Sequence, residues 1–196
     1  KGRIQASIVN NNNLRSFYMK QRVFLSDDFE QLESYPKKIN WLTLQEFWND
    51  ATGKKFPFRV TLNLRKTVSG NGNLYFGTHA QTKEKGKWNN IWDSINKEYA
   101  VPNNQWITIE TYLVEGNETE GRFVFKVTDE SGNKKTIFDI TGYTYHPNDP
   151  CPDGFNRFNP MKLYTSDDLI DYMSENDKTL QMYWDDFEIW ANKKPL

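Results

Sequence analysis

The sequence predicts an all-β protein, an antiparallel sandwich or barrel with one or two short helices. Three observations carry this expectation. Segments in which apolar and polar residues alternate recur along the chain, as expected of strands with one face buried. Gly- and Asn-bearing turn signals such as VSGNGN (68–73) and ESGN (130–133) separate them. Aromatic residues make up 15% of the 196 residues, and such side chains favour strands.

Taken in order, NNNN (10–13) reads as a turn. SFYMKQRVFL (16–25) alternates through Phe17, Met19, Val23 and Leu25, broken only by Gln21. SDDFEQLESY (26–35) suits a short helix, whereas INWLTLQEFWND (39–50) fits strand and helix templates about equally. In FPFRVTLNLRK (56–66), Phe58, Val60, Leu62 and Leu64 face one way, and Arg59, Thr61, Asn63 and Arg65 the other. After the hairpin loop at 68–73, LYFGTHAQ (74–81) is the return strand, with Tyr75, Gly77, His79 and Gln81 on its polar face. KWNNIWDS (87–94) reads as a helix with Trp88 and Trp92 on one side, or as a loop.

WITIETYLV (106–114), GRFVFKVTD (121–129), KKTIFDITG (134–142), MKLYT (161–165) and QMYWDDFEIW (181–190) complete the strands. Before the last, Thr165 is placed to cap a helix over SDDLIDYMSEN, with Asp168 three residues on.

Composition excludes several function classes. The net charge of −1 supplies no global basic field for duplex nucleic acid. No run of 18 apolar residues spans a membrane. Cys151 stands alone, so no internal disulfide forms, which fits a cytosolic protein or an exported bacterial one that needs none. The first residue is Lys rather than Met, and no signal peptide is visible, so a mature or trimmed chain is expected. Without repeats or low-complexity linkers, 1–196 reads as a single domain.

The segment VPNNQWITIETYLVEGNETEGRFVFKV (101–127) resembles a recurring piece of concanavalin A-like lectin/glucanase jelly rolls, where Val-Pro and a Trp introduce a strand and a glycine turn returns it. KLYTSDD followed by YWDDFEIW resembles the closing strand of that fold, and INWLTLQEFWND before FRVTLNLRK is similar to its bacterial members. The resemblance covers roughly 40–196 and implies an antiparallel two-sheet jelly-roll sandwich whose concave face carries a glycan groove. It also implies a structural Ca²⁺ in many members, at no position that the sequence identifies. The superfamily hosts lectins, glucanases, polysaccharide lyases and non-catalytic sugar-binding modules, so the fold alone does not give function.

A retaining glycosidase needs two carboxylates roughly 5 Å apart. The E-x-D-x-x-E strand motif of the jelly-roll glucanases is absent. Glu175-Asn-Asp177 is its nearest fragment but has Leu180 in the last place, and Asp186 and Glu188 read as a solvated face or local charge pair. A lyase acting by β-elimination needs a base, an acid, and a cation or amide to neutralise the uronate carboxylate. Jelly-roll alginate lyases carry Gln-x-His and Tyr-x-Lys-x-Gly-x-Tyr. Here His79 and Gln81 stand in reversed order beside Tyr75, and Tyr143, Tyr145 and His146 replace the second motif only loosely. The candidate catalytic residues are His79 and Tyr75.

The candidate ligand-binding residues are Arg59, Asn63, Arg65, Tyr75, His79, Gln81, Lys20, Arg22, Trp88 and Trp92. If their strands share the concave sheet, they form a cationic, amide-bearing, aromatic groove suited to an acidic glycan. Otherwise they are a solvated outer face. HPNDPCPDG (146–154) gathers Asn148, Asp149 and Asp153 without the regular spacing of a calcium loop, and Cys151 with His146 lacks the partners of a zinc site. Asn117-Glu-Thr119 is a glycosylation sequon, relevant only to a secreted eukaryotic protein. No serine-hydrolase, phosphate-loop or dinucleotide motif is present.

The expected function is polysaccharide recognition in a bacterial glycan-utilisation system, with the protein secreted, periplasmic or at the cell surface. The alternatives are a lyase acting on a uronate-containing glycan, then a glycoside hydrolase, then an interaction domain that binds no glycan.

Overall fold

Alternation along each strand sorts its side chains between a shared core and an outward face. A computed structural model of the chain describes residues 1–11, 13–49 and 55–192. Asn12 of the NNNN turn and Asp50 at the end of INWLTLQEFWND lie outside them. The strands among these residues are β1 (Arg3–Val9), β2 (Ser16–Leu25), β3 (Thr43–Asn49), β4 (Phe58–Arg65), β5 (Tyr75–Glu84), β6 (Lys87–Ala100), β7 (Trp106–Val114), β8 (Arg122–Thr128), β9 (Lys134–Thr141), β10 (Phe155–Tyr164) and β11 (Met182–Ala191). A 3₁₀ helix covers Asp27–Ser34 and α1 covers Asp167–Glu175.

The strands form two antiparallel sheets, a six-stranded one in the order β1-β10-β3-β4-β5-β6 and a five-stranded one in the order β11-β2-β7-β8-β9. The expected two-sheet sandwich with short helices is therefore observed. Between the sheets lies an apolar core rich in phenylalanine, with Phe17 against Phe47, Phe155 and Phe158, and Phe125 against Phe76 and Phe138. Gln21, the break in the β2 pattern, is itself buried, and its Nε2 donates to the Pro160 carbonyl at 2.8 Å. No helix among the described residues is long and apolar enough to cross a membrane.

The choice left open for INWLTLQEFWND is decided, and three other local readings need correction. Within INWLTLQEFWND, Thr43–Asn49 form strand β3, because β10 and β4 pair with it on both sides and supply its backbone hydrogen bonds. KWNNIWDS is neither helix nor loop but the start of the 14-residue strand β6. At α1, Ser166 rather than Thr165 holds the N-cap position, and it makes no side-chain cap bond. Residues 161–164 of MKLYT prove to be the end of β10, a longer strand whose Pro160 sits where the register with β3 is interrupted. A proline lacks the N–H that a regular ladder requires, so it is confined to such irregularities.

Candidate functional site

The outward face of the six-stranded sheet carries the polar halves of its alternating strands. β4 contributes Arg59, Thr61, Asn63 and Arg65, and their cross-strand partners on β5 are Gln81, His79, Gly77 and Tyr75. β3 lies beyond β4 and places Glu46 opposite Thr61 and Trp48 opposite Arg59. A depression of about 310 Å³ opens on this face, lined by Lys1, Trp41, Thr43, Arg59, Thr61, His79, Gln81, Trp88 and Tyr164.

Arg59 is the hub. Its Nε and Nη2 donate to Oε1 of Gln81 at 2.9 and 2.7 Å, and its Nη1 donates to Oε1 of Glu46 at 2.7 Å. Its guanidinium lies over the Trp88 ring, 3.8 Å from the centroid. Gln81 is oriented in turn by donating from Nε2 to Oδ1 of Asn90 at 2.7 Å. The second carboxylate oxygen of Glu46 accepts from the Lys162 ammonium. The Glu46 and Lys162 side chains are only 5% and 3% exposed, so two cations share one carboxylate in a nearly dry floor. Burial pushes the Glu46 carboxyl up, but Lys162 and Arg59 more than offset this and hold it below the usual carboxylate range. An acid held ionised in this way cannot be the proton donor of a glycosidase, and both its oxygens are already engaged.

His79 is 9% exposed and faces the depression. Burial, reinforced by the nearby Arg59 charge, lowers its pKa to about 4, so the imidazole is neutral near pH 7. Among the described residues no hydrogen bond engages its ring nitrogens, so one nitrogen is free to accept a proton. Tyr164 lines the same depression, packed 5.0 Å from Trp41 and capped by the Arg3 guanidinium at 4.3 Å.

Arg59, His79, Gln81 and Trp88 thus line one depression. Arg65 and Tyr75 share the face but do not line the depression. Arg65 reaches over β5 to Asp93, with Nη1 2.5 Å from Oδ1. A Cβ at Gly77 would collide with the Arg65 side chain, which explains glycine at this position of LYFGTHAQ. Asn63 is fully buried and already bonded, accepting from Thr43 and donating to Thr61 at 2.9 and 2.8 Å.

Three expected groove residues lie elsewhere. Lys20 and Arg22 are on β2, in the five-stranded sheet, facing away from the core, so the sandwich separates them from Arg59. There they pair with Glu188 and Asp186 at 3.8 and 3.7 Å, the local charge pairs that the acids of the last strand suggested. Trp92 faces the core against Phe123, its Nε1 donating to the Tyr143 carbonyl at 2.9 Å. The register of β5 with β6 shifts by one residue at Ile91, which turns Trp88 and Trp92 to opposite faces.

The sequence reading did not mark Glu46, Trp48 and Lys162, which surround or support Arg59, or Tyr164, which lines the depression. The even spacing of Glu46 with Trp48, and of Lys162 with Tyr164, was their only signal. In the 146–154 loop, His146 Nδ1 accepts from the Asn148 backbone and Asp149 accepts from the Cys151 backbone, at 3.1 and 3.0 Å. Among the described residues no group of three or more His, Cys, Asp or Glu side chains is placed to hold a metal ion.

No protein-family model matches the chain, and no curated protein matches it. Solved structures do. A PL-14 alginate lyase from Aplysia kurodai superposes with a TM-score of 0.57 at 13% identity, over 92% of this chain and 71% of that one. The alginate lyase Aly36B, as a mutant in complex with an alginate trisaccharide, gives 0.57 at 9% identity, over 95% and 74% of the two chains. An endo-β-1,4-glucuronan lyase from Trichoderma reesei gives 0.52 at 12% identity, over 97% and 76%. At such identities the likeness establishes the architecture: this chain has the two-sheet jelly-roll fold that these polysaccharide lyases share.

Proposed function

We propose that the groove binds a uronate-containing polysaccharide and cleaves it by β-elimination. One observation carries this reading: a neutral, unengaged imidazole at His79 faces the same depression as Arg59, Gln81 and Tyr164. Arg59 keeps N–H groups beyond the three it gives to Gln81 and Glu46, and with the remaining Gln81 amide hydrogen these suit a uronate carboxylate. His79 takes the C5 proton, and charge develops on the carboxylate that Arg59 and Gln81 hold. The electron pair forms the C4=C5 double bond as the C4–O bond breaks, and the Tyr164 hydroxyl protonates the leaving oxygen. One product carries an unsaturated uronate end and the other a new end at the released oxygen. The fold shared with alginate and glucuronan lyases supports the choice of substrate class. Such glycans lie outside cells, so the reading places the protein in a secreted, periplasmic or cell-surface setting.

The test is ultraviolet absorbance of unsaturated uronide on a panel of polymannuronate, polyguluronate and polyglucuronate. His79→Ala should slow product formation by about 10²–10⁴-fold, the usual worth of a general base. Wild-type turnover by that variant would sink the assignment. The second reading is recognition without cleavage. It is favoured by the pre-assembled Arg59–Gln81–Glu46 network, in which the donors are already held in place. Binding to the same glycans with no product from the wild-type chain would decide for it.

A further inference from the structure

We propose that Arg157 is a second carboxylate-binding point of the groove, so that tight binding requires an acidic glycan long enough to reach it from Arg59. The inference rests on the reading that the groove takes a uronate polysaccharide, and it concerns binding rather than cleavage.

Strand register places Arg157 in one cross-strand row with the hub. Arg157 on β10 is opposite Trp48 on β3, Trp48 is opposite Arg59 on β4, and Arg59 is opposite Gln81 on β5. The neighbouring row, Phe158 with Phe47 and Val60, points into the core, so the Arg157 row points outward. Adjacent strands lie about 4.8 Å apart, which sets Arg157 about 10 Å from Arg59 across the sheet. Trp48 lies between the two arginines, with the Arg59 guanidinium 5.7 Å from its ring centroid and Trp88 packed edge-on at 5.4 Å. The row therefore reads cation, indole, cation, the pattern for a polymer with a carboxylate at each end of a stretch whose C–H faces stack on an aromatic ring.

The two arginines differ in one respect. Arg59 is held by Glu46 and Gln81. Among the described residues, no hydrogen bond or ion pair engages the Arg157 guanidinium, although the residue is half-buried and its Nε is sealed from solvent without a partner. Removing a charged group from water without pairing it is costly, so buried guanidinium groups normally have an acceptor. Among the described residues no carboxylate fills that role, and Glu46, opposite the next outward residue Asn159, already serves Arg59 and Lys162. A uronate carboxylate supplies the planar, two-oxygen acceptor that a guanidinium fork matches.

The test is calorimetric titration of defined dimers and hexamers of mannuronate, guluronate and glucuronate into the full chain, in a His79→Ala background that keeps the sugars intact. Arg157→Ala should weaken the bound hexamer about tenfold, equivalent to about 1.4 kcal/mol, and leave the dimer, too short to bridge the two arginines with its carboxylates, within twofold. Arg157→Lys should fall between, since it keeps the charge but loses the fork. A carboxyl-reduced hexamer should not distinguish Arg157→Ala from its parent. Hexamer binding unchanged by Arg157→Ala overturns this inference alone. Equal weakening of dimer and hexamer also overturns it, pointing to a disturbed fold that a lowered melting temperature would register. If the parent binds no oligouronate, the inference falls together with the reading it rests on.

Discussion

Replacing Glu46 by Gln keeps the shape of the groove floor but removes the one carboxylate shared by two cations. Glu46 is 5% exposed, Lys162 3% and Arg59 18%, so solvent does little to screen the charges left behind. Both oxygens of Glu46 are engaged, one by Arg59 at 2.7 Å and the other by Lys162. In the glutamine variant one of these acceptors becomes an NH₂ group facing a cation. Removing one partner of a buried pair typically costs about 3–5 kcal/mol, because an uncompensated charge stays behind. For a chain of this size that lowers the melting temperature by about 6–20 °C.

The pH dependence has a definite sign. Glu46 has a folded pKa below its unfolded value of about 4.3, so its contribution is fully present above that pH and lost as pH falls through the folded value. The stability gap between wild type and Glu46→Gln, measured by urea unfolding, should be widest near neutrality and narrow in acid. Pairing Glu46→Leu with Lys162→Met should cost less than the sum of the two single changes, since both buried charges then leave together. A Glu46→Gln variant within about 0.5 kcal/mol of wild type at pH 7 would refute the reasoning, because a change of that size is ordinary for an exposed position.

The pKa of His79, lowered to about 4, should destabilise the folded chain progressively from about pH 6.5 down to about 4, by roughly 3 kcal/mol. His79→Asn should remove that slope in acid-unfolding curves, and an unchanged slope would show that the histidine is not responsible. In the lyase reading, the acid limb of kcat/KM should lie nearer 4 than 6.5, and a limb at 6.5 would place the base elsewhere. The buried ammonium of Lys66 donates to the carbonyls of Glu33, at 2.9 Å, and of Tyr35 and Gly70, tying the 3₁₀ helix to the β4–β5 loop. Lys66→Met strands these acceptors and should cost about 2–4 kcal/mol in thermal unfolding, with hydrogen exchange rising first around residues 68–73. Lys20→Ala and Arg22→Ala, on the far side of the sandwich, should leave oligouronate affinity within twofold, whereas Arg59→Ala should weaken it at least tenfold, as judged by calorimetry.

The lesson for sequence reading lies in particular strands. For β2, β7, β8 and β9 a period of two, bounded by turn residues, sufficed to predict the segments, because alternation is a local consequence of the pleat. The same pattern correctly divided β4 and β5, so Arg59, His79 and Gln81 were recognisable as one polar face of a hairpin. For β6 the template failed, because a one-residue register shift at Ile91 breaks the pattern between Trp88 and Trp92. β10 was only half legible, since Pro160 interrupts it and is accommodated at an irregularity that only its neighbours reveal.

What the amino-acid order determined by itself was the supply of two-faced strands and the local sharing of faces within each hairpin. Which strands lie in the same sheet, and which outward face holds the depression, depended on the tertiary structure. Lys20 and Arg59 look alike in their own strands, yet they end on opposite sides of the sandwich. Glu46 and Lys162 are 116 positions apart, and no local pattern marks them as partners. They meet because β10 and β3 pair across the sheet. Once there, burial decides the chemistry: it makes the ion pair obligatory, and it leaves His79 neutral beside the charges that surround it.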